Sequence, residues 1–420
     1  MRAESAAASS AAAFSTLRSA PGGGAPVPPL SANPTKPAAF VFDIDGVLVR
    51  GPAVLPAART AMQMLLSGGA WRAPVCFLTN GGGVSEARKA EELTSWLGVE
   101  VGEDQVILSH SPFRQLAPRL GDVPVLVAGR RDVVAVARSY GFSKVLTTYH
   151  LAEAFGRAAT PFGAAPLTDA PKGATRSGGP CPVRDLGWGS EAAPIRAVLV
   201  FNDPAGDAWY QDLQLLHDVI TSHGVPLRPH PAPETAAALL NRAPPGSRPV
   251  EVFFSNPDLL WANDHPRPRF GQGAFAAALD ALHRQTTGGP ISGARWFGKP
   301  NREPYRLAER LLLAQAVRLG LAPPSVAEDA AAAASGGNGG GGAAARFSAI
   351  YAVGDNPAAD VRGANTAGPP WVSVLVRTGV FEGREANSAT DPAHIVVDDV
   401  AAAVEAARHR ERLARWHSMR

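Results

Sequence analysis

Ala38-Ala39-Phe40-Val41-Phe42-Asp43-Ile44-Asp45-Gly46-Val47-Leu48 is the stretch on which the reading of this chain turns. Its apolar run, with two Phe and a Val, has the character of a buried strand. The run ends at Asp43, skips Ile44 and presents Asp45 before Gly46 breaks the extended chain. In α/β folds the carboxyl end of a buried strand is where ligands settle. Two carboxylates held this close repel unless a cation or a shared proton compensates them. An Asp-x-Asp alone is equally consistent with turn and capping chemistry, so the rest of the chain has to decide.

Working outward, the next elements alternate. Pro56 to Leu66 predicts a helix closed by Gly68, and Val75-Cys76-Phe77-Leu78 a second buried strand running into Thr79-Asn80-Gly81-Gly82-Gly83. Ser85 is placed to cap a helix from Glu86 to Leu97 that stops at Gly98. Strand, helix, strand, helix predicts a parallel sheet covered on both faces. From Val106 to Ile291 the chain has an α/β rhythm of its own, long enough for an inserted domain. The first domain resumes with Gly298-Lys299-Pro300, a helix from Glu303 to Leu319, and a strand from Phe347 to Val353. That strand runs into Gly354-Asp355-Asn356-Pro357-Ala358-Ala359-Asp360; strands Trp371 to Val376 and Ile395 to Val397 and a helix Val400 to Arg415 follow. The expected organisation is a leader (1–36), a first core segment (37–105), a cap (106–291) and a second core segment (292–420). Two Pro/Gly/Ala-rich stretches, 161–194 and 323–345, lack periodicity and are expected as flexible surface insertions.

Composition excludes more than it proves. With 40 Lys and Arg against 37 Asp and Glu, the formal charge of +3 gives no footing for nucleic acid. Two cysteines make neither a disulfide framework nor a metal site. No apolar run approaches the ~18 residues of a membrane span, so an integral membrane protein is not expected. The leader carries Arg2, Arg18 and Lys36 against the single acid Glu4, as organelle transit peptides do, mitochondria first and plastid second.

Asp43, Asp45, Thr79, Asn80, Lys299, Asp355 and Asp360 all fall at predicted strand ends or loops. Together they read as a phosphoryl-transfer site. Carboxylate oxygens are hard ligands suited to Mg²⁺. Asp43 is placed to attack phosphorus, and Asp45 to protonate the leaving oxygen. Thr79 and the glycine turn after it offer a hydroxyl and N–H groups to phosphate. Lys299 adds a positive charge. His110, Asn202, Asp203, Asn256 and Asp258 sit at expected strand ends of the insert or its hinge, where turn or capping chemistry is the first reading and contact with substrate the second; Trp261, Phe253 and Phe254 are expected in the core rather than as a ligand stack.

These motifs resemble the haloacid dehalogenase-like (HAD) hydrolase superfamily. They are Phe42-Asp43-Ile44-Asp45-Gly46-Val47, Leu78-Thr79-Asn80, Gly298-Lys299-Pro300 and Gly354-Asp355 through Asp360. The position of the insert resembles the cap of subfamily IIA. Leu108 to Phe113, Phe254 to Trp261, Arg269 and the Gly271-Gln272-Gly273 turn are similar to the branch named for cat eye syndrome critical region protein 5. The resemblance implies a Rossmann-like parallel-sheet core with a large inserted α/β cap. It implies Asp43 as nucleophile, Asp45 as general acid and base, and Mg²⁺ on Asp43, the Asp45 backbone carbonyl and Asp355. Thr79, Asn80 and Lys299 would hold phosphate, and Asp360 would act behind them. The implied activity is hydrolysis of a small phosphorylated metabolite, in mitochondria and with a loose link to glycerophospholipid metabolism. A phosphotransferase using the same aspartyl-phosphate, and a silent scaffold that kept the motifs, stay open as alternatives.

Overall fold

The computed structural model describes residues 36–166, 170–172, 193–204, 206–225, 248–261, 263, 265, 267–325, 346–381 and 386–418. The leader up to residue 35, most of the stretch 167–192 and residues 326–345, with their expected leader and insertion roles, lie outside the described residues.

The opening run forms β1 (Ala39–Phe42), buried along its whole length. Burying each Phe or Val there contributes roughly 1.5–3 kcal/mol. Two short hairpins follow nearby: β2 (Val49–Arg50) with β3 (Ala53–Val54), and β4 (Leu66–Ser67) with β5 (Ala70–Trp71). The second hairpin corrects one expectation. The helix Pro56–Met64 ends before Leu65, and Gly68 serves the hairpin turn. Beyond it come β6 (Val75–Leu78) and β7 (Val106–Ile107). Between them the helix Glu86–Leu97 has Ser85 Oγ accepting from Arg88 N at 3.2 Å and Gly98 at its end with φ 68°.

The second unit contains β8 (Val125–Ala128), β9 (Val145–Thr147), β10 (Ala197–Val200), β11 (Glu251–Phe254), the hairpin β12 (Leu260–Trp261) with β13 (Arg269–Phe270), and β14 (Arg295–Trp296). The chain then returns to the first unit with β15 (Ile350–Gly354), β16 (Trp371–Val376) and β17 (Ile395–Val397).

Hydrogen bonding sorts the larger strands into two sheets whose pairs are parallel throughout. The core sheet runs β17-β16-β15-β1-β6-β7 and the cap sheet β14-β11-β10-β8-β9. Both domain edges therefore move from where the sequence suggested. Val106–Ile107 still belongs to the core sheet, and Arg295–Trp296 still belongs to the cap sheet. Two-residue strands at the crossings carry too little pattern to show which sheet they join.

Each sheet reverses its order once. In the core the reversal lies between β1 and β15, and in the cap between β8 and β10. At such reversals the crossovers diverge to opposite faces and leave a crevice beyond the strand ends. Phe42 pairs with Val353 on one side and Phe77 on the other. Asp43, Gly354 and Leu78 thus follow at one level, with Asp355 and Thr79 a step further out. The helix Arg302–Arg318 packs Tyr305, Ala308 and Leu312 on one face of the core sheet, while Ala58, Ala61 and Met62 pack on the other.

One expected insertion is partly folded near its start. Ala165 is buried, its N–H donates to Gln211 Oε1 at 2.9 Å, and Lys172 N donates to Arg131 O at 2.8 Å. Small apolar side chains dock into gaps without any periodic signature, so the sequence did not reveal this.

Candidate active site

A cavity of about 260 Å³ lies between the two sheets, walled by Asp43, Asp45, Thr79, Lys299, Asp355 and Asp360 on the core side. Residues Arg130, Asn202, Asp203, Asp258 and Trp261 face it from the cap. Every site residue expected from sequence lines it.

Lys299 is the centre of the charge arrangement. Its ammonium donates to Leu78 O at 3.1 Å and Asp360 Oδ1 at 2.6 Å, and stands 2.8 Å from Asp43 Oδ1. Burial opposes that charge, yet Asp360 and Asp43 hold it well above the usual lysine range. Asp43 Oδ1 accepts no aligned hydrogen bond despite this ion pair, and it is shut off from solvent. Lost hydration raises Asp43 well above the carboxylate range; Lys299 pulls it down, and Asp360 and Asp355 push it further up. Asp355 is pushed up to about 7, first by burial and then by Asp360. Its carboxylate takes a hydrogen bond from Val380 N, and its carbonyl one from Phe381 N at 3.0 Å.

Asp360 is placed by local chain geometry. Asn356 caps the turn 357–361 by accepting from Ala358 N at 3.0 Å, and Asn356 N donates to Asp360 Oδ2 at 3.1 Å. Both Asp360 oxygens thus already have partners. Asp45 opens onto the cleft, and its crowded walls raise its carboxyl against the pull of Lys89 and Lys299. Gly46 turns the chain there with φ 82°, and a Cβ on it would stand 2.4 Å from Asp355 Oδ2.

Thr79 Oγ1 accepts from Gly81 N at 2.9 Å, which leaves its own hydroxyl proton for another acceptor. The Asn80 side chain is engaged within the fold. Its Oδ1 accepts from Lys299 N at 2.8 Å, and its amide donates to Lys299 O at 3.0 Å and Asp258 Oδ2 at 2.9 Å. With its amide donors spent, the Asn80 side chain fastens the lysine loop and the cap.

His110, expected as turn chemistry, is a positioning residue. Gly83 N donates to His110 Nε2 at 3.1 Å, so Nδ1 carries the proton and gives it to Tyr140 Oη at 2.9 Å. Tyr140 in turn donates to Glu86 Oε1 at 2.5 Å. Gly83 has φ 90°, and a Cβ on it would collide with Asn202 Nδ2 at 2.1 Å. The glycine turn is therefore held from both units. Asp258, pushed up to about 6 by burial, also serves this junction through Asn80. Trp261, expected in the core, lies on the hairpin at the cavity mouth, 39% exposed.

Comparison with known proteins now decides the family. Residues 40–143 match the family described as haloacid dehalogenase-like hydrolase, and residues 296–403 one described as HAD-hydrolase-like. A mitochondrial hydrolase of Saccharomyces cerevisiae is 34% identical over 371 residues, 88% of this chain and 95% of its own length. The chain belongs to the haloacid dehalogenase-like hydrolases.

A second relative of this hydrolase is a cardiolipin synthase (CMP-forming)/mitochondrial hydrolase fusion protein of Schizosaccharomyces pombe, 32% identical over 352 residues. The match takes 84% of this chain and 50% of that protein, so the hydrolase spans about half the length of the fusion. Among solved structures, a p-nitrophenyl phosphatase from Archaeoglobus fulgidus has a TM-score of 0.51 at 18% identity, covering 88% of this chain and 99% of its own. A hypothetical protein from Pyrococcus horikoshii has a TM-score of 0.51 at 19% identity, with 89% and 99% covered. At such identities the likeness is one of fold.

Proposed function

We propose that this HAD hydrolase is a Mg²⁺-dependent phosphatase that cleaves a small phosphomonoester through an aspartyl-phosphate on Asp43. The observation that carries the reading is the buried cluster Asp43, Asp355 and Asp360. Their ligand atoms lie within 4.8 Å of one another, with the Lys299 ammonium paired to two of them.

A divalent cation fits that cluster. Three buried carboxylates against one ammonium leave an excess of negative charge; burial first, and then the neighbouring carboxylates, raise Asp43 and Asp355. Asp43 Oδ1 is a buried acceptor without a hydrogen bond. The donor set is all oxygen, as Mg²⁺ prefers. Asp43, the Asp45 backbone carbonyl and Asp355 would hold the ion, and when bound it supplies positive charge to the phosphate oxygens. Asp360, with both oxygens engaged, acts through Lys299.

Asp43 attacks phosphorus and forms a P–O bond to its carboxylate, while the bond to the leaving oxygen breaks. The Asp45 carboxyl gives its proton to that oxygen. Asp45, now ionised, takes a proton from water, whose oxygen attacks phosphorus and releases the Asp43 carboxylate. Thr79 and the glycine turn orient the phosphate, and Lys299 fixes Asp43 while adding positive charge. The cap limits access of bulk water to the cavity.

Both curated relatives are called mitochondrial in their names, which supports a mitochondrial setting for this chain. The fusion relative joins a hydrolase to a cardiolipin synthase, which supports glycerophospholipid chemistry as the context. The test is hydrolysis of 4-nitrophenyl phosphate by purified protein. Turnover should appear with Mg²⁺, vanish with a chelator, and fall to background in Asp43→Asn. Absence of turnover under all of these conditions would leave the scaffold reading standing in its place.

A further inference from the structure

The cap sheet has a switch-point crevice of its own, between β8 and β10, and it opens onto the same cavity as Asp43. Arg130 and Arg131 follow β8 there, and Asn202 and Asp203 follow β10. The crevice is held in place from several sides. Arg130 N donates to Asn202 Oδ1 at 2.8 Å, and Asp132 N donates to Gly83 O at 3.0 Å, which ties the arginine turn to the glycine turn of the core. Arg131 sits at φ 65°, a left-handed conformation that a side chain of its size adopts only when its surroundings impose it.

Two polar atoms in this crevice are left over. Arg130 Nε and Asp203 Oδ1 are both buried without a hydrogen-bond partner. The two groups do not satisfy each other: their nearest approach is 3.9 Å, from Arg130 Nη2 to Asp203 Oδ2. The rest of each side chain is open, 43% of Arg130 and 27% of Asp203, so a cation and a carboxylate that do not bond to each other face the cavity side by side.

We propose that the crevice reads the non-reacting end of the substrate, a carboxylate at Arg130 flanked by a hydroxyl-type donor at Asp203. This rests on the phosphatase reading and names its substrate class. A guanidinium matches the planar spread of oxyanion acceptors better than any other side chain. The cavity, about 260 Å³, falls just below the range of roughly 300–1,000 Å³ for drug-sized ligands. That limits the enclosed part of the substrate to a few carbons beyond the phosphate.

The experiment measures kcat/KM on matched phosphomonoesters that end in a carboxylate or in a primary alcohol. The pairs are 3-phosphoglycerate with glycerol 3-phosphate, and 6-phosphogluconate with glucitol 6-phosphate. The wild type should favour the acid in at least one pair by about tenfold to a hundredfold, the worth of one charge-assisted hydrogen bond, chiefly through KM. Arg130→Gln should bring that ratio close to one and Arg130→Lys should restore part of it. Taking the ratio within each variant cancels any general loss of fold or rate. Asp203→Asn should keep the acid preference. Ratios near one in both wild-type pairs, a preference that survives Arg130→Gln, or its collapse in Asp203→Asn would each overturn the assignment. If 4-nitrophenyl phosphate is not hydrolysed, the phosphatase reading itself fails; turnover of that ester with flat ratios sinks only this inference.

Discussion

Asp43 and Asp45 are two residues apart in one turn, and the fold gives them different surroundings. Asp43 is buried against Lys299, Asp355 and Asp360, whereas Asp45 faces the cleft. That difference suits a nucleophile held in one geometry and an acid that exchanges protons with water. Asp43→Asn should form no phospho-enzyme. Asp45→Asn should slow both steps by on the order of 10²–10⁴-fold. With an aryl phosphate, whose leaving group needs little protonation, covalent phosphate should build up on Asp43 in the Asp45→Asn protein. Mass spectrometry after an acid quench reads this, and phosphate on any other residue would sink the mechanism. Lys299→Met should unfold at lower temperature by an amount equivalent to about 3–5 kcal/mol, because Asp43 and Asp360 lose the ammonium between them. Added Mg²⁺ should narrow that deficit in a thermal melt; an identical deficit with and without Mg²⁺ would argue against a cation at the cluster.

At the scale of elements, the chain His110, Tyr140, Glu86 joins the glycine turn, a cap helix end and the first turn of the helix Glu86–Leu97. Ser111 also donates to Glu86 Oε1 at 2.6 Å, and Arg114 reaches Oε2 at 3.0 Å. Burial lowers His110 to about 4; Glu86 partly opposes this and Arg114 adds to it. Between about 4 and the ordinary 6.5 the unfolded chain binds a proton that the folded chain refuses. Stability should therefore be lost as pH falls through that window, by roughly 2–4 kcal/mol for a shift of this size. Urea unfolding of the wild type and of His110→Gln from pH 7 to 4.5 checks it: the variant should show the shallower slope. Asp212 has the opposite sign. Burial pushes it up to about 7, and Thr148 Oγ1, on the neighbouring cap helix, donates to it and pulls it down. Its contribution is full below the unfolded carboxylate pKa and is lost as pH rises through about 7. Asp212→Asn should accordingly raise the melting temperature at pH 8 and change it little at pH 4; equal shifts at both would show that ionisation is not the cause.

Across the whole molecule, the carboxyl ends of strands from both sheets line one cavity, on which both reversals open. Asn80–Asp258, Asp132–Gly83 and Ser109–Ser255 bonds cross the junction. Replacing residues 326–345, which lie between the helix Arg302–Arg318 and β15, by a short Gly/Ser linker should leave melting temperature and turnover nearly unchanged, because loop closure costs change by only ~0.6 kcal/mol per doubling of length. A loss of several degrees in a thermal melt would show that the segment packs. The stretch 161–194 is a poorer candidate for removal, since Ala165 and Lys172 already bond to Gln211 and Arg131. Residues 1–36, fused to a fluorescent protein, should direct it to mitochondria; diffuse cytosolic fluorescence in the native host would contradict the leader reading.

The core of the site was legible because its signals are local. Buried strands that run into Asp43, Thr79 and Asp355 announce themselves by an apolar run and its abrupt end, and strand period and helix caps such as Ser85 and Gly98 act within a few residues. What sequence alone determined was the α/β core, the presence of an inserted α/β unit, and the types of residue at the strand ends. Tertiary structure alone decided which sheet Val106–Ile107 and Arg295–Trp296 join, that Asn80 is spent on Lys299, and that His110 supports Gly83. It also decided that Arg130 and Asp203 line the same cavity as Asp43, Asp45 and Asp355. The physical reason is range: strand and helix propensity is written in neighbouring residues. A hydrogen bond between Asn80 and Lys299, 219 positions apart, exists only once both sheets are folded and docked.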